Sequence, residues 1–320
     1  MNCLIPMNPN LNHVVKKIKP NKMQTSNEIK DMVKQKYAEI ALQDKDTNAS
    51  SCCGAGGCST EVYNIMTDDY TELQGYAADA DLGLGCGLPT QYAKIKPGDT
   101  VIDLGSGAGN DCFVARAETG TTGRVIGIDF TPEMIERARI NAQKLGFNNV
   151  EFRQGDIEKM PVTANLADVV VSNCVLNLVP DKKVAIAEIF RVLKPGGHFS
   201  ISDIVLVGEL PDAIREASEM YAGCVSGAIQ KTEYMDHISQ QGFVNIQLQK
   251  EKQIFIPDDI LSRYISNDEI TAFRNSSNGI FSITVYAEKP GGTQPVVKPK
   301  ISMKELAVSG ACCAPGSGCC

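Results

Sequence analysis

One stretch limits the folds open to this chain more than any other: Val101-Ile102-Asp103-Leu104-Gly105-Ser106-Gly107-Ala108-Gly109-Asn110. An apolar run with the length of a buried strand meets three alternating glycines, and a helix-forming segment follows. Without side chains at Gly105, Gly107 and Gly109, backbone amides at a helix N-terminus can come close to a ligand. About 20 residues further on, the strand-like run Val125-Ile126-Gly127-Ile128 ends in Asp129, where a carboxylate can accept hydrogen bonds from a ribose or cap the next helix. Glycines in this spacing are common. Strand, glycine turn, helix, strand and terminal acid in that order are not.

The alternation continues to residue 207. Strands are expected at 100–104, 124–129, 150–153, 167–173 and 198–203. Helices are expected between them at 110–118, from Pro132 to Gly146 with Thr131 as candidate cap, and at 181–193. The run at 167–173 is apolar without alternation, as a parallel strand covered on both faces should be. This order predicts an α/β fold, an open, Rossmann-like, mostly parallel sheet. Ligands bind such sheets beyond the carboxyl ends of the strands, which gathers Gly105 to Gly109, Asp129, Asp156, Ile157 and Asn173 at one pocket. Asp156 is either an adenine contact or a turn former. Outside the core, helices are expected at 28–42, 212–228 and 232–241, and strands at 243–249 and 281–288. The glycine-rich run 82–89 reads as a loop laid across something, and a linker from Lys289 leads to a cysteine-bearing tail.

Twelve cysteines in 320 residues are the anomaly. Spread along a chain with a nucleotide-binding type of core, they do not suit a small secreted disulfide scaffold. In a reducing compartment such cysteines bind soft metals or do redox work. Six stand as neighbours, Cys52-Cys53, Cys312-Cys313 and Cys319-Cys320, in glycine-rich surroundings unlike a core. Cys312, Cys313, Cys319 and Cys320 either capture a thiophilic ligand or form an adventitious metal-binding tail. The net charge of −7 argues against nucleic acid as a partner. No apolar run approaches the ~18 residues of a membrane helix. Residues 1–22 lack the apolar segment of a secretory signal, so a cytoplasmic address is expected.

The run Asp103 to Gly109, with the later turn Leu193-Lys194-Pro195-Gly196-Gly197, resembles the class I S-adenosylmethionine-dependent methyltransferases over residues 95–205. Three further segments narrow the resemblance to the arsenite S-adenosylmethionine methyltransferases, over residues 58–285. They are Leu84-Gly85-Cys86-Gly87, Val171-Ser172-Asn173-Cys174-Val175-Leu176-Asn177-Leu178-Val179-Pro180-Asp181, and Gly223-Cys224. The resemblance implies S-adenosylmethionine as cofactor, held by Asp103, Gly105, Ser106, Gly107, Gly109, Asp129, Met134, Asp156, Ile157 and Asn173. It puts the arsenic-binding thiols at Cys174 and Cys224. A further pair, completing the thiol set and cycling through a disulfide, falls on Cys86 and Cys58, with Cys52 and Cys53 as close rivals for Cys58. Leu84 stands where members often carry an aromatic residue near the methyl donor. The substrate implied is arsenite or its thiol conjugates, and the partner a thiol reductant such as thioredoxin or glutathione. The expected division is a flexible segment at 1–60, a cofactor-binding domain at 61–207, an arsenic-binding region at 208–289 and a flexible cysteine-rich tail at 290–320.

The chemistry of the residues agrees. Trivalent arsenic is soft, so thiolates hold it better than oxygen or imidazole ligands do. Bound by sulfur it keeps a lone pair that can attack a methyl carbon, and no general base is required. His13, His198 and His237 share no constellation. Cys58, Cys86, Cys174 and Cys224 lack the paired spacing of a zinc ribbon, and Cys112, inside the first core helix, reads as packing.

Overall fold

The structure, a computed structural model, describes residues 25–43, 68–209, 227–255, 258–262, 265–276 and 278–291. The expectations for Cys3, His13, Cys52, Cys53, Cys58, Cys224 and the four tail cysteines lie outside these residues, as does almost all of the helix expected at 212–228.

The first element is α1 (Ser26–Ala41). Its start is a capping box: the Thr25 hydroxyl accepts from the Glu28 amide, and the Glu28 carboxylate accepts from the Thr25 N–H. Two orphan amides are satisfied at once. The core then runs β1 (Thr100–Leu104), α2 (Asn110–Thr119), β2 (Arg124–Asp129), α3 (Pro132–Lys144), β3 (Val150–Gln154), β4 (Ala167–Asn173), α4 (Lys182–Val192) and β5 (Leu193–Val207). After it come α5 (Lys231–Gln240), β6 (Val244–Ile254), α6 (Asn267–Asn275) and β7 (Gly279–Glu288). All seven strands form one sheet in the order β3-β2-β1-β4-β5-β7-β6. Strands β1 to β5 are parallel, and β7 lies antiparallel between β5 and β6.

Several boundaries differ from the sequence reading for physical reasons. Strand β5 starts early because Lys194–Gly197 bulge out between the paired positions Ala167↔Leu193 and Val169↔His198. The bulge is pinned: the Gly196 N–H donates to Lys289 O at 2.9 Å and the Lys289 N–H to Gly197 O at 2.8 Å. The polar run Lys250–Gln253 extends β6 because it pairs with β7, a gain in backbone hydrogen bonds that leaves no apolar pattern. Thr131 makes no side-chain cap; Asp129 Oδ1 accepts the Thr131 N–H at 2.8 Å instead. The helix α6 was not foreseen, and begins with its own capping box, Ser266 and Glu269.

Both faces of the parallel sheet are covered. Ile102, Leu104, Ile126, Ile128 and Val170 pack with Ile186 and Ile189 of α4, while Val101, Val125, Val169 and Val171 pack with Phe113 of α2 and Ala138 of α3. Each buried branched side chain is worth about 1.5–3 kcal/mol. Helix α1 joins the second layer through Ile40 and Ala41, and Arg137 of α3 donates to its last carbonyl region, at 2.8 Å from Ala41 O. Val33 of α1 belongs to a different apolar cluster, one that contains Cys86 and Cys174. Among the described residues no helix is long and apolar enough to cross a membrane.

Candidate active site

Strands β1 and β4 are neighbours although the chain visits β2 and β3 between them. Their connections leave in opposite directions and open a crevice at the carboxyl ends. Asp103, Gly105, Ser106, Gly107, Asp129, Asp156, Ile157 and Asn173 line the cavity there, together with Cys174, Leu84, and Lys30 and Tyr37 of α1. Two of the expected cofactor residues do not. Met134 is fully buried in the layer between the sheet and α3. Gly109, at φ +102°, serves packing, because a Cβ there would fall 2.8 Å from Phe113 Cζ and 2.9 Å from Phe152 Cζ.

The glycine turn is shaped by left-handed backbone at Gly105 (φ +64°) and Gly107 (φ +51°). Its Gly107 N–H donates to Asp129 Oδ2 at 3.0 Å, so the carboxylate that starts α3 also ties the turn to the end of β2. Asp129 thus fills the second role read for it, at the start of α3, while lining the cavity where the first, a ribose contact, would be made. Asp156 is a turn former, accepting the Glu158 N–H at 2.9 Å, and it also receives Lys30 Nζ at 2.6 Å. Lys30 meets Glu158 as well, which fastens α1 to the rim of the cavity.

Buried acids dominate the electrostatics. Burial pushes the Asp111 carboxyl up to about 6, against hydrogen bonds from Tyr70 and Asn173 that favour its charge. Burial, with the nearby charge of Asp111, holds Asp103 well above the usual carboxylate range, and burial raises Asp129 too. Lys30 is the sole lysine or arginine among the described lining residues. Cys112 is buried, as expected of a packing residue, with its Sγ 3.2 Å from Asp103 Oδ2.

The thiols depart from expectation. The resemblance pairs Cys86 with Cys58 and gives Cys174 to arsenic; the structure joins Cys86 to Cys174 in a disulfide, with Cα atoms 5.8 Å apart. A sulfur in a disulfide is not a thiolate ligand, so metalloid binding at Cys174 requires the bond to be reduced. Cys174 is also one of the few non-glycine residues with left-handed backbone, at φ +59°, held by its N–H donating to Ser202 O at 2.8 Å. Such strain is concentrated at functional positions. Asn173 lines the cavity, yet its amide is committed to the Cys86 loop: Oδ1 accepts the Cys86 N–H at 2.9 Å and Nδ2 donates to Gly87 O at 2.8 Å. Tyr70, Asp111 and Lys30 were missed. Asp111 had a signal, an acid in the first turn behind the glycines; Tyr70 and Lys30 reach the site only through the tertiary fold. Among the described residues no cluster of three histidine, cysteine or acidic side chains is arranged for a metal ion.

Residues 95–242 match the family model of a methyltransferase domain. The chain is 40% identical over 276 residues to an arsenite methyltransferase of Halobacterium salinarum, covering 82% of this chain and 67% of that protein. It is 32% identical over 269 residues to an arsenite methyltransferase of Homo sapiens, covering 79% and 69%. The chain belongs to the arsenite methyltransferases. Its fold agrees with a crystal structure of an arsenic(III) S-adenosylmethionine methyltransferase from Chlamydomonas reinhardtii, at a TM-score of 0.56 and 31% identity, over 74% of this chain and 76% of that one.

This arsenite methyltransferase depends on S-adenosylmethionine, and the cavity fits that cofactor. Ser106 Oγ and Asn110 Oδ1 are buried without a protein partner. A Cβ at Gly107 would meet nothing within 4 Å, so the turn faces open space. The buried acids suit a ligand that carries an ammonium and a sulfonium charge.

Proposed function

We propose that this enzyme methylates trivalent arsenic held by the thiolates of Cys174, Cys224 and Cys86, and that Cys86 and Cys174 alternate between dithiol and disulfide. The observation that supports this best is the position of Cys174, in the wall of the cofactor cavity and bonded to Cys86.

Held by Asp103, Gly105, Ser106, Gly107 and Asp129, the cofactor supplies a methyl group on a positively charged sulfur. The rest falls to the chain. Reduced Cys86, Cys174 and Cys224 each displace one hydroxide of arsenite, giving up a proton and releasing a water, and arsenic keeps its lone pair. Fixed at the end of β4, Cys174 keeps the metalloid against the cofactor cavity, where nearness and alignment supply much of the barrier reduction. No proton leaves the nucleophile, so no histidine is needed; His198 is occupied with Ala93 O at 2.6 Å. Methylation leaves arsenic formally pentavalent. The As–S bonds to Cys86 and Cys174 then break as the S–S bond forms. One of their two electron pairs makes that bond and the other returns arsenic to the trivalent state, while water supplies a hydroxide to the arsenic still held by Cys224 and releases a proton. Two thiols of a reductant such as thioredoxin or glutathione then reopen the bond and become a disulfide themselves. Cys58 would relay reducing equivalents, and Cys312, Cys313, Cys319 and Cys320 would capture arsenite.

Arsenic speciation and cofactor calorimetry on Cys174→Ser test the assignment. The variant should bind S-adenosylmethionine like the wild type and form no methylated arsenic. Methylated product at the wild-type rate would refute it.

A further inference from the structure

The loop that carries Cys86 is held from three separate elements, and the contacts converge on two consecutive residues. Asn173 Oδ1 accepts the Cys86 N–H at 2.9 Å, and Cys86 O accepts from Ser282 Oγ of β7. Gly87 O accepts from Asn173 Nδ2 at 2.8 Å and lies 3.1 Å from Tyr70 OH, whose one proton it can only share with Asp111. Asp111, at the start of α2, accepts from Tyr70 OH at 2.9 Å, the tyrosine oxygen accepts the second Asn173 Nδ2 proton, and Asn173 Nδ2 lies 3.3 Å from the Asp111 carboxylate. Asn173 immediately precedes Cys174, so the side chain that grips the Cys86 backbone is one residue from the sulfur that Cys86 must reach.

The flanking glycines belong to the same device. A Cβ at Gly85 would stand 2.6 Å from Asn173 Nδ2, and one at Gly87 2.5 Å from Ser202 Oγ. Neither position needs glycine for a left-handed φ. Both need it for the close approach of the loop to the end of β4 and to Ser202 within β5.

We infer that Tyr70, Asp111 and Asn173 are positioning residues for the thiol pair, a hydrogen-bonded clamp that keeps Cys86 beside Cys174 whether or not the sulfurs are joined. Apart from the 3.7 Å approach of Cys86 Sγ to Asn173 Oδ1, these contacts run through nitrogen and oxygen atoms, so opening the S–S bond removes none of them. The reduced loop is then already ordered, and closing the bond costs little further entropy. This rests on the proposed dithiol–disulfide cycle and adds the groups that set its poise.

The test is the equilibrium of the full-length protein with glutathione: two protein thiols and one oxidised glutathione give one protein disulfide and two reduced glutathiones. The Cys86–Cys174 peptide is quantified by mass spectrometry across a series of redox buffers. Tyr70→Phe frees the reduced loop while the S–S bond still holds the oxidised one, and should lower the equilibrium constant by up to about tenfold, the scale of one lost buried hydrogen bond. Asn173→Ala should lower it further, and Gly85→Ala, which displaces the loop from the other side, should lower it too. Melting temperatures of oxidised and reduced protein are measured alongside. A merely structural contact lowers both alike and leaves the equilibrium constant unchanged, and that result in Tyr70→Phe and Gly85→Ala overturns the clamp. A wild-type protein that never yields the Cys86–Cys174 peptide overturns the redox cycle itself, and the clamp with it.

Discussion

Gly105 and Gly107 share a left-handed backbone, at φ +64° and +51°, but not their surroundings. A Cβ at Gly105 would lie 2.7 Å from Val175 Cγ1 and closer still to Cγ2, whereas one at Gly107 meets nothing within 4 Å. Alanine at either site incurs the left-handed penalty of about 1–2 kcal/mol. Gly105→Ala adds overpacking of about 1–3 kcal/mol, because Val175 packs against the buried core and cannot retreat freely. The expected losses are therefore about 1–2 kcal/mol for Gly107→Ala and about 2–5 kcal/mol for Gly105→Ala. Urea unfolding followed by far-UV circular dichroism measures both, since the chain has no tryptophan to report on tertiary structure. Val175 follows Cys174, so Gly105→Ala should also reduce methylation more than its stability loss explains. Equal losses in the two variants would refute the reasoning.

Three other outcomes are expected. Burial pushes Asp111 up to about 6, and a cationic ligand favours the ionised carboxylate, so S-adenosylmethionine affinity should fall as pH drops through 6, by at most about tenfold per pH unit; calorimetry should find this slope in the wild type and a flatter one in Asp111→Asn. Asp203 is fully buried, and burial pushes its carboxyl from the ordinary 3.8 up to about 7. The fold thus keeps a proton that the unfolded chain has lost, so stability present below pH 3.8 is lost as pH rises to about 7, by up to about 4 kcal/mol, and Asp203→Asn should remove that slope in denaturation curves. Lys30→Ala breaks part-exposed ion pairs to Asp156 and Glu158 and should cost at most about 1 kcal/mol in the same assay.

What the sequence made legible is what local chemistry encodes. The bounds of β1, β2 and β4 follow from mainly apolar runs, and the turn at Gly105 and Gly107 from conformations that only glycine adopts cheaply. Met134 does not line the cavity, because a residue one turn into α3 points to the core as readily as to the crevice. The polar part of β6 was invisible because it is held by backbone pairing with β7 and not by burial. The pairing of Cys86 with Cys174 spans 88 residues, and no spacing rule encodes a contact that the sheet order alone creates. Tyr70 and Lys30 are hidden for the same reason: their partners Asp111 and Asp156 lie far along the chain.

Arsenic speciation after incubating the full-length protein with arsenite, a thiol reductant and S-adenosylmethionine labelled at the methyl carbon tests the central claim most directly. Methylated arsenic carrying the label is the predicted result. Unaltered arsenite with no transferred label after many hours would contradict it.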